Sequence, residues 1–510
     1  TLMMLLLLSS AGSFEWVRSR LLVAANVRLE SSLREPVSKA ASMGTLITGN
    51  PSGAGQAMND LLALRQFVTG NGIFAVMDAP WTLVYIGLMF MFHPMFGIAA
   101  TISAAVMILL AVITQKSTAE KLLNANQLTA KANMSFQSNL RNAEVIHGMG
   151  MAANIRRRDS ALYDEASDEQ AVASTTAGRL SAISKSFRMI SQSVLLGMGA
   201  YLALNGEISP GLMIAGSLLL GRALAPIDMM VGNWKGFVEV KSQFNRLRTT
   251  LNAFPAENDR MSLPAPTGSL SVEQIIVTPP GSQIASVKGV GFQLVAGDAL
   301  GIIGPSAAGK TSLARAILGV WPLRAGTVRL DGAEISQWDR DELGPYLGYL
   351  PQDIELFDGS IADNICRFSQ QDSEQIIEAS KTAGIHEMIL RLPEGYDTVL
   401  NSNAGALSAG QRQRVGLARA IYGQPKLIIL DEPNSNLDDQ GERDLLTALR
   451  RIKESGRTVI VITHRTSILS MVDKLLLMKD GAVVKFGERD EVLKAVSTSN
   501  PKISQLQNKA

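Results

Sequence analysis

Five apolar stretches dominate the first half of the chain and predict membrane helices. The stretch at 72–92 holds one charge, Asp78, and the stretch at 95–113 holds none. Between them, His93-Pro94 is too short for anything except a tight helical hairpin. The last two stretches are joined by the turn-forming residues NGEISPG. Two membrane hairpins are therefore predicted. The five stretches cover residues 1–14, 72–92, 95–113, 189–204 and 208–231.

The first stretch is shorter than the others. Its run TLMMLLLLSSAGSF begins at Thr1, and crossing a bilayer takes about 20 apolar residues. A secretory signal would have a basic segment before such a run and a small-residue cleavage site after it, and neither occurs here. We therefore expect the chain to begin part-way through a membrane helix, with upstream sequence missing.

The basic residues predict which way the helices face. The connections at 93–94 and 205–210 carry no Lys or Arg, whereas the long segments carry many. Because Lys and Arg stay on the cytoplasmic side, we expect the hairpin tips to face outward and long helical arms to face the cytosol. The alternative is a soluble protein with buried helices, which this charge asymmetry disfavours. The basic residues are Arg18, Arg20, Arg28, Arg34, Lys116, Lys121, Arg141, Arg156, Arg157 and Arg158.

Two charges, Arg222 and Asp228, lie within the last apolar stretch. Charges at membrane depth are costly and usually face a cavity or a partner helix. One interpretation places them along a transport path. The other, which we favour, places them near the cytoplasmic end, where they snorkel or pair structurally.

Composition agrees with a membrane protein and excludes several kinds of site. Of the 510 residues, 46% are hydrophobic and 18% are charged, and the net charge of +2 gives no sign of a nucleic-acid partner. The single cysteine, Cys366, excludes a disulfide framework and a cysteine-rich metal site. At 251–268 the chain gains prolines and charges and loses apolar periodicity, which predicts a linker to a second domain.

A phosphate-binding loop opens this second domain. The apolar residues 299–303 predict a buried strand, and GPSAAGKT after it matches the pattern G-x-x-x-x-G-K-[ST]. Its glycines let backbone N–H groups approach phosphate oxygens, and the helix that follows adds partial positive charge. Lys310 would reach the β- and γ-phosphates, and Thr311 would hold Mg²⁺. The candidate phosphate-binding residues are Gly304, Pro305, Ser306, Ala307, Ala308, Gly309, Lys310, Thr311 and Ser312.

An acidic pair, Asp431-Glu432, ends a second apolar strand predicted at 426–430. The first carboxylate suits a water-mediated Mg²⁺ contact, and the second is placed to orient and deprotonate an attacking water. Such a pair is weak evidence by itself, because helix N-termini favour Asp and Glu anyway. Its position downstream of the phosphate loop strengthens the interpretation.

Between these two motifs stands LSAGQ, which begins at Leu407 and is followed by RQRVGLARAIYG with helical periodicity. A turn of small residues that opens a helix can bind an anion. The alternative is that Ser408 is an ordinary helix N-cap. That alternative would be favoured if the pentapeptide stood alone.

Six motifs follow one another along the second half: GPSAAGKT, PQD with Gln352, LSAGQRQR, LIILDEP, SNLD, and VITH with His464. In this order and spacing the chain resembles the ATPase domain of ABC transporters over residues 269–510, an α/β P-loop fold. The resemblance implies ATP and Mg²⁺. It makes Glu432 the catalytic base, His464 a contact to the γ-phosphate, and Gln352 a sensor of Mg²⁺ that couples to the membrane arms. The implied metal-site residues are Thr311, Gln352 and Asp431.

The same resemblance predicts that two copies of the chain work together. Ser408, Gly410 and Gln411 would contact ATP held by the opposite subunit, and Asp438 would lie in the loop between the two sites. One motor domain of this family cannot close its own active site. A homodimer with two equivalent sites is therefore implied.

The sequence departs from the family pattern at several positions. Ala409 replaces the usual glycine, and Asn434 and Asn436 replace Thr and Ala, which look tolerable. The aromatic residue that usually stacks on adenine is replaced by Pro279 in TPPGS. Adenine recognition is then expected to be weak or apolar, with Val277 as a candidate contact.

The membrane half resembles one branch of exporters, the type I protein-secretion exporters of the PrtD kind, which export metalloproteases and haem-binding proteins. The matching stretches are MDAPWTLVYIGLMFMFHPMFG, RNAEVIHGMGM and QSVLLGMGAYLALNGEISPGLMIAGSLLLGRALAP. The implied fold is an α-helical transmembrane bundle, six helices per subunit with the first missing, fused to the ATP-binding cassette. The implied domains are 1–250 for the membrane, 251–268 for the linker and 269–510 for the ATPase.

This branch implies a cargo and partners. The cargo would be an unfolded polypeptide with a C-terminal signal, passed from the inner membrane of a Gram-negative bacterium to a periplasmic membrane-fusion adaptor and a TolC-like outer-membrane channel. Two alternatives stay open. A lipid or drug exporter would share every ATPase motif, and a soluble ABC ATPase that acts on DNA or ribosomes would lack the apolar hairpins.

Overall fold

The computed structural model describes residues 2–49, 51–254, 262–400, 407–423 and 425–499. The middle of the predicted linker, 255–261, and the chain end, 500–510, lie outside the described residues. The chain divides into two compact units. A membrane unit holds residues 1–45 and 50–256, and a nucleotide unit holds residues 46–49 and 257–510.

The described part of the membrane unit consists of helices joined by short turns. Its helices are α1 (Leu2–Thr48), α2 (Pro51–Thr69), α3 (Asn71–Asp78), α4 (Trp81–Phe92), α5 (Pro94–Arg141), α6 (Ala143–Gly148), α7 (Ala152–Leu204), α8 (Pro210–Gly232) and α9 (Trp234–Ala253).

Three of these helices, α5, α7 and α8, are long and apolar enough to cross a membrane. Helices α3 and α4 are separated by a short break with a bend of 43°. Counted together as one broken helix, they form a fourth candidate span. Pro80 lies at that break and has no backbone N–H to donate. Four of the five predicted apolar stretches thus fall on candidate spans. The fifth falls at the start of α1, where the side chains of residues 2–8 are outside the described part.

Helices α5 and α7 form a long antiparallel hairpin closed by α6. Tyr163 donates to Asn133 at 3.2 Å, and farther along Ser184 donates to the Met107 sulfur at 3.3 Å. Many buried positions of the two helices carry small side chains, which lets the backbones approach closely. These positions include Ala100, Ala104, Thr114, Thr118, Ala125 and Ala132 on α5, and Ala166, Ala173, Ser184 and Gly199 on α7.

Phe96 of α5 lies at the centre of the apolar core that α4, α5, α7 and α8 share, and it is fully buried. A Cβ atom at Gly216 of α8 would stand 2.8 Å from its ring, and one at Gly199 of α7 would stand 3.2 Å away. Side chains at these two glycines would therefore push both helices off the ring. The close packing explains why glycines occur in these apolar segments.

The two predicted hairpin tips lie against each other. His93 separates α4 from α5, and its Nε2 atom is 3.1 Å from a carboxylate oxygen of Glu207, which lies between α7 and α8. His93 also caps α5, because its Nδ1 accepts from Met95 N at 3.2 Å. The connections that the sequence marks as free of Lys and Arg therefore belong to one end of the unit.

Asp228 makes structural contacts within the membrane unit. Its side chain is 11% exposed, accepts a hydrogen bond from Ser184 at 3.1 Å, and lies 3.4 Å from Nε of Arg188. These contacts agree with the interpretation that it pairs structurally. Arg222, by contrast, is exposed.

The nucleotide unit is built on three sheets. The strands are β1 (Leu270–Val277), β2 (Val287–Leu294), β3 (Ala299–Ile303), β4 (Leu323–Leu330), β5 (Ala333–Glu334), β6 (Leu347–Leu350), β7 (Gly359–Ser360), β8 (Val399–Leu400), β9 (Leu427–Asp431), β10 (Thr458–Ile462), β11 (Lys474–Lys479) and β12 (Ala482–Glu488).

Helices surround these sheets. They are α10 (Lys310–Ile317), α11 (Arg340–Leu343), α12 (Ile361–Ile365), α13 (Ser373–Thr382), α14 (His386–Leu390), α15 (Ala409–Ile421), α16 (Asp439–Glu454), α17 (Thr466–Leu469) and α18 (Arg489–Ser499), with short 3₁₀ turns at Gly344–Tyr346 and Gly395–Asp397.

The strand order of the largest sheet positions the site. The order is β12-β11-β3-β10-β9-β6, and only β12 runs antiparallel to its neighbour. A separate antiparallel sheet has the order β2-β1-β4-β5. Every residue of β9 and β10 is buried, as expected for central parallel strands covered on both faces. The carboxyl ends of β3, β6, β9 and β10 lie at one edge, where ligands bind in open α/β sheets.

Candidate functional site

The phosphate loop joins β3 to α10. Gly304 has φ 155° and Gly309 has φ 90°, in a region that side chains other than glycine seldom adopt. A Cβ at either position would stand 2.2 Å from a backbone oxygen, of Met478 or of Ser286 respectively. The loop is therefore held so closely that both glycines are required. Pro305, Ser306 and Ala307 are exposed, Ala308 is buried, and Thr311 and Ser312 are half-buried in α10.

Lys310 begins α10 and is 7% exposed. Its Nζ donates to the carbonyl oxygens of Gly304 at 2.8 Å and Pro305 at 3.0 Å, and lies 3.1 Å from Nε2 of His464. Burial lowers the pKa of Lys310, while the charges of Glu432 and Asp431 oppose this change. The cation is thus held in the loop and close to both acidic residues.

Asp431 ends β9 with both carboxylate oxygens buried. The residue is 1% exposed, and within the described ranges neither oxygen has a hydrogen-bond partner of normal geometry. Burial raises the pKa of Asp431, and the charge of Glu432 raises it further. The Thr311 side chain is close enough to oppose that rise. A buried carboxylate left in this state is suited to a cation or to a water bound to one.

Glu432 connects two other motifs. Its Oε2 accepts from Nε2 of Gln352 at 3.2 Å, and its Oε1 lies 3.7 Å from Nε2 of His464. Its own φ is 49°, and its N–H donates to the Ile462 carbonyl at 2.9 Å. Burial lowers the pKa of His464, the Lys310 charge lowers it further, and Glu432 opposes both. His464 is therefore neutral at pH 7, since its ordinary value of 6.5 is already lower.

Gln413 is a site residue that the sequence analysis did not single out. It is 2% exposed on α15 and binds three groups of the loop after β9. Its amide nitrogen donates to Glu432 O at 3.3 Å and to Ser435 Oγ at 3.4 Å, and its amide oxygen accepts from Asn436 N at 3.0 Å. The only signal in the sequence is a glutamine at an otherwise apolar helical position.

The residues of the LSAGQ motif contact each other. Ser408 Oγ accepts from Gln411 N at 3.3 Å, and the Gln411 side chain accepts from Ser408 N at 2.8 Å, which makes a capping box for α15. A Cβ at Gly410 would stand 2.8 Å from the Asn436 carbonyl oxygen. Asp438 caps α16 through Gly441 N at 2.8 Å. The contacts described for these four motif residues do not include Lys310 or its loop.

One expectation about adenine is wrong. Val277 is 0% exposed in the core at the end of β1, so it has no surface to offer to a base. Because side chains alternate between the two faces of β1, the Val277 side chain points into the core. The sequence around TPPGS did not reveal this burial. Pro279, two residues later, is half-buried in the following turn.

Comparison with known proteins identifies the two halves. The family described as ABC transporter transmembrane region matches residues 1–225, and the ABC transporter family matches residues 287–435. The type I secretion system ATP-binding protein PrsD of Rhizobium meliloti (strain 1021) is 44% identical over 494 residues, which cover 97% of this chain and 85% of that protein.

More distant relatives agree with this result. The alpha-hemolysin translocation ATP-binding protein HlyB of Escherichia coli is 29% identical over 88% of this chain, which spans 64% of that protein. A solved structure of a bacterial Atm1-family ABC exporter with ATP bound has a TM-score of 0.78 at 20% identity, over 95% of this chain and 86% of that one. The chain therefore belongs to the ABC transporters and, with their transmembrane region joined to their ATPase domain and a type I secretion protein among its relatives, is an ATP-driven exporter.

Proposed function

We propose that this exporter translocates an unfolded polypeptide with a C-terminal signal, of the metalloprotease or haem-binding type. The observation that carries the proposal is the 44% identity to a type I secretion system ATP-binding protein over 97% of the chain. That similarity extends through the membrane unit as well as the ATPase motifs. A lipid or drug exporter would need to match only the ATPase motifs and the helix topology.

The phosphate loop and Lys310 bind the phosphates of ATP in this proposal. Backbone N–H groups of 304–312 and the start of α10 supply partial positive charge. Lys310 Nζ lies within 3.0 Å of two loop carbonyls, so a short movement of its side chain exchanges these acceptors for phosphate oxygens. The glycines at 304 and 309 let the loop pack closely on the backbone at Met478 and Ser286, which holds its N–H groups in place for the phosphates.

The side chains near the phosphate loop are suited to bind a magnesium ion. Asp431 offers two buried oxygens without hydrogen-bond partners among the described residues, and the Thr311 side chain is near. Mg²⁺ prefers oxygen ligands and keeps several waters, with few ligands from the protein. Thr311, Asp431 and Gln352 would hold the ion, which would neutralise charge on the phosphates. No cluster of three or more His, Cys, Asp or Glu suited to a metal occurs in the described residues.

Glu432 is the proposed base for hydrolysis. Gln352 donates to one carboxylate oxygen at 3.2 Å and restrains the group, and His464 Nε2 lies 3.7 Å from the other oxygen, so the carboxylate keeps acceptor capacity for an attacking water. A neutral His464 can donate a hydrogen bond to a γ-phosphate oxygen while Lys310 supplies the positive charge. These roles divide positioning and charge stabilisation between different side chains, as phosphoryl transfer requires.

We propose a homodimer because the LSAGQ residues stand apart from the phosphate loop in their described contacts. Ser408, Gly410 and Gln411 would complete the site of a second copy, with Asp438 between the two sites. The start of α15, where they lie, carries the partial positive charge of a helix N-terminus. Two equivalent sites would form in this way.

The remaining proposals concern the surroundings of the protein. The domains are 1–250 in the inner membrane of a Gram-negative bacterium, the linker 251–268, and a cytoplasmic ATPase domain at 269–510. The partners are a periplasmic membrane-fusion adaptor, a TolC-like outer-membrane channel and the secreted polypeptide. No nucleic-acid partner is proposed.

The test compares the proteins outside the source cells by mass spectrometry. Wild type, Glu432→Gln and the surface control Glu454→Gln are expressed at equal levels. We expect one or a few proteins to disappear from the medium and accumulate inside only in Glu432→Gln cells. An external proteome that is identical in all three strains would refute protein export, and altered lipid or drug efflux would then identify the other class. Separately, purified Glu432→Gln should bind ATP and not hydrolyse it.

A further inference from the structure

Arg367 has an unusual environment on the nucleotide unit. It follows α12 with φ 58°, and the next residue, Phe368, has φ 57°. Two consecutive non-glycine residues in the left-handed region are costly and persist only where the surroundings hold them. The surroundings of Arg367 are five hydrogen bonds from its guanidinium group to five main-chain carbonyls.

Three of these acceptors belong to the end of α15. Arg367 donates to the carbonyls of Arg419 at 3.0 Å, Ala420 at 3.2 Å and Tyr422 at 3.2 Å. The last carbonyls of a helix have no partner inside the helix and carry its partial negative charge. A guanidinium group satisfies several of them at once because its donors form a planar fork.

The other two acceptors lie in the 3₁₀ turn before β6 and at the first residue of β6. Nη1 of Arg367 donates to Gly344 O and Leu347 O, each at 2.9 Å. The strand is packed directly on α15, since a Cβ at Gly348 would stand 2.2 Å from Ala420 O and one at Gly416 would stand 2.9 Å from the Leu350 side chain. Arg367 thus links by hydrogen bonds a strand and a helix that already pack closely at Gly348 and Gly416.

These two elements carry different parts of the proposed ATP sites. Gln352, which donates to Glu432, comes two residues after β6 ends, and Ser408 stands immediately before α15 begins. We propose that Arg367 is a positioning residue for ATP hydrolysis, which fixes the glutamine loop of one site relative to the signature helix that serves the other. The proposal rests on the roles given above to Gln352 and Ser408. It concerns turnover of ATP and holds whatever the cargo is.

The test uses the purified full chain in lipid nanodiscs. Arg367→Met removes all five bonds, and Arg367→Lys keeps the charge with a single nitrogen that cannot span both elements. The matched control is Arg489→Met. Arg489 also donates to a carbonyl just beyond a helix, Ser470 O at 2.9 Å after α17, and to Asp490 at 2.9 Å. None of these described contacts lies on β6, α15 or the helix that begins at Lys310.

Three quantities are measured below the unfolding temperature: the Kd for a fluorescent ATP analogue, kcat and KM. We expect Arg367→Met to keep Kd within about twofold and to lose kcat by roughly tenfold to a hundredfold, the range that follows from small displacements of catalytic groups. Arg367→Lys should fall between it and wild type. Arg489→Met should keep kcat.

A lower unfolding temperature with unchanged kcat in Arg367→Met would overturn the proposal and leave Arg367 with a structural role only. If Arg367→Met does not fold, kcat of Arg367→Lys is compared with kcat of Arg489→Lys, and equal values overturn the proposal. Failure of the export proposal would appear in the secretion assay and leave these kinetics untouched.

Discussion

Replacement of the buried Gln413 by Met tests how the catalytic loop is held. Methionine has nearly the same shape and no amide, so the three contacts to Glu432, Ser435 and Asn436 are lost together. The Glu432 carbonyl keeps a second donor, Ser435 N at 3.2 Å. The Asn436 N–H loses the partner that it has in the described structure.

The expected cost follows from these differences. A buried N–H left unpaired costs about 1–3 kcal/mol, and the two weaker contacts at 3.3 and 3.4 Å add less. A total loss of about 2–3 kcal/mol corresponds to a fall of roughly 4–12 °C in the unfolding temperature of a domain of this size. Because Glu432 is displaced with its loop, kcat should also fall roughly tenfold.

Calorimetry and phosphate release by the reconstituted full chain measure the two effects. The control is Gln440→Met, which removes an exposed glutamine that donates to Asp444 at 2.9 Å. It should change neither quantity. If Gln413→Met matches this control in unfolding temperature and kcat, the reasoning that the amide holds Glu432 in place is wrong.

Two further predictions concern the membrane unit and the pH dependence of hydrolysis. Arg246 donates at 2.7 and 2.9 Å to Asp60, whose side chain is 2% exposed, so Arg246→Met should cost about 2–4 kcal/mol, seen as a lower unfolding temperature in detergent. The double variant Asp60→Asn with Arg246→Met should recover part of it, and equal losses would contradict the buried pair. Burial and the Lys310 charge lower the pKa of His464 from 6.5, and the charge of Glu432 opposes this change. His464 therefore stays mostly neutral as the pH falls to 6.5. The acid limb of kcat should lie below pH 6.5, and a midpoint above it would exclude the neutral role.

The sequence pattern predicts the strands and motif residues of the site better than the residues that hold them in place. The apolar run 299–303 coincides with β3, and 426–430 is displaced by one residue from β9, because the charged Asp431 is buried inside the strand. Lys310, Glu432 and His464 stand out by their motifs and lie together in the structure.

Gln413 and Arg367 were missed for a common physical reason. Most of their partners are main-chain groups, in the loop after β9 for Gln413 and at α15 and the approach to β6 for Arg367. Sequence motifs are recognised by side chains, so contacts to the main chain leave no pattern. Val277 was misjudged because burial at a strand end depends on the sheet that covers it. The break at Pro80 could have been expected from the residue itself, since proline interrupts helices.

The paired helices α5 and α7 have a mechanical consequence. With 48 and 53 residues they are about 72 and 80 Å long, while a bilayer core is about 30 Å thick, so roughly 40 Å of α5 and 50 Å of α7 extend beyond it. Small side chains bring the two backbones together along this length, and a double rod bends less than a single one. A tilt of about 5° at the membrane therefore moves the α6 end by roughly 4 Å instead of being absorbed by bending. The hairpin acts as a stiff lever. Replacing its buried alanines with larger residues should separate the two helices and make the hairpin more flexible before it unfolds.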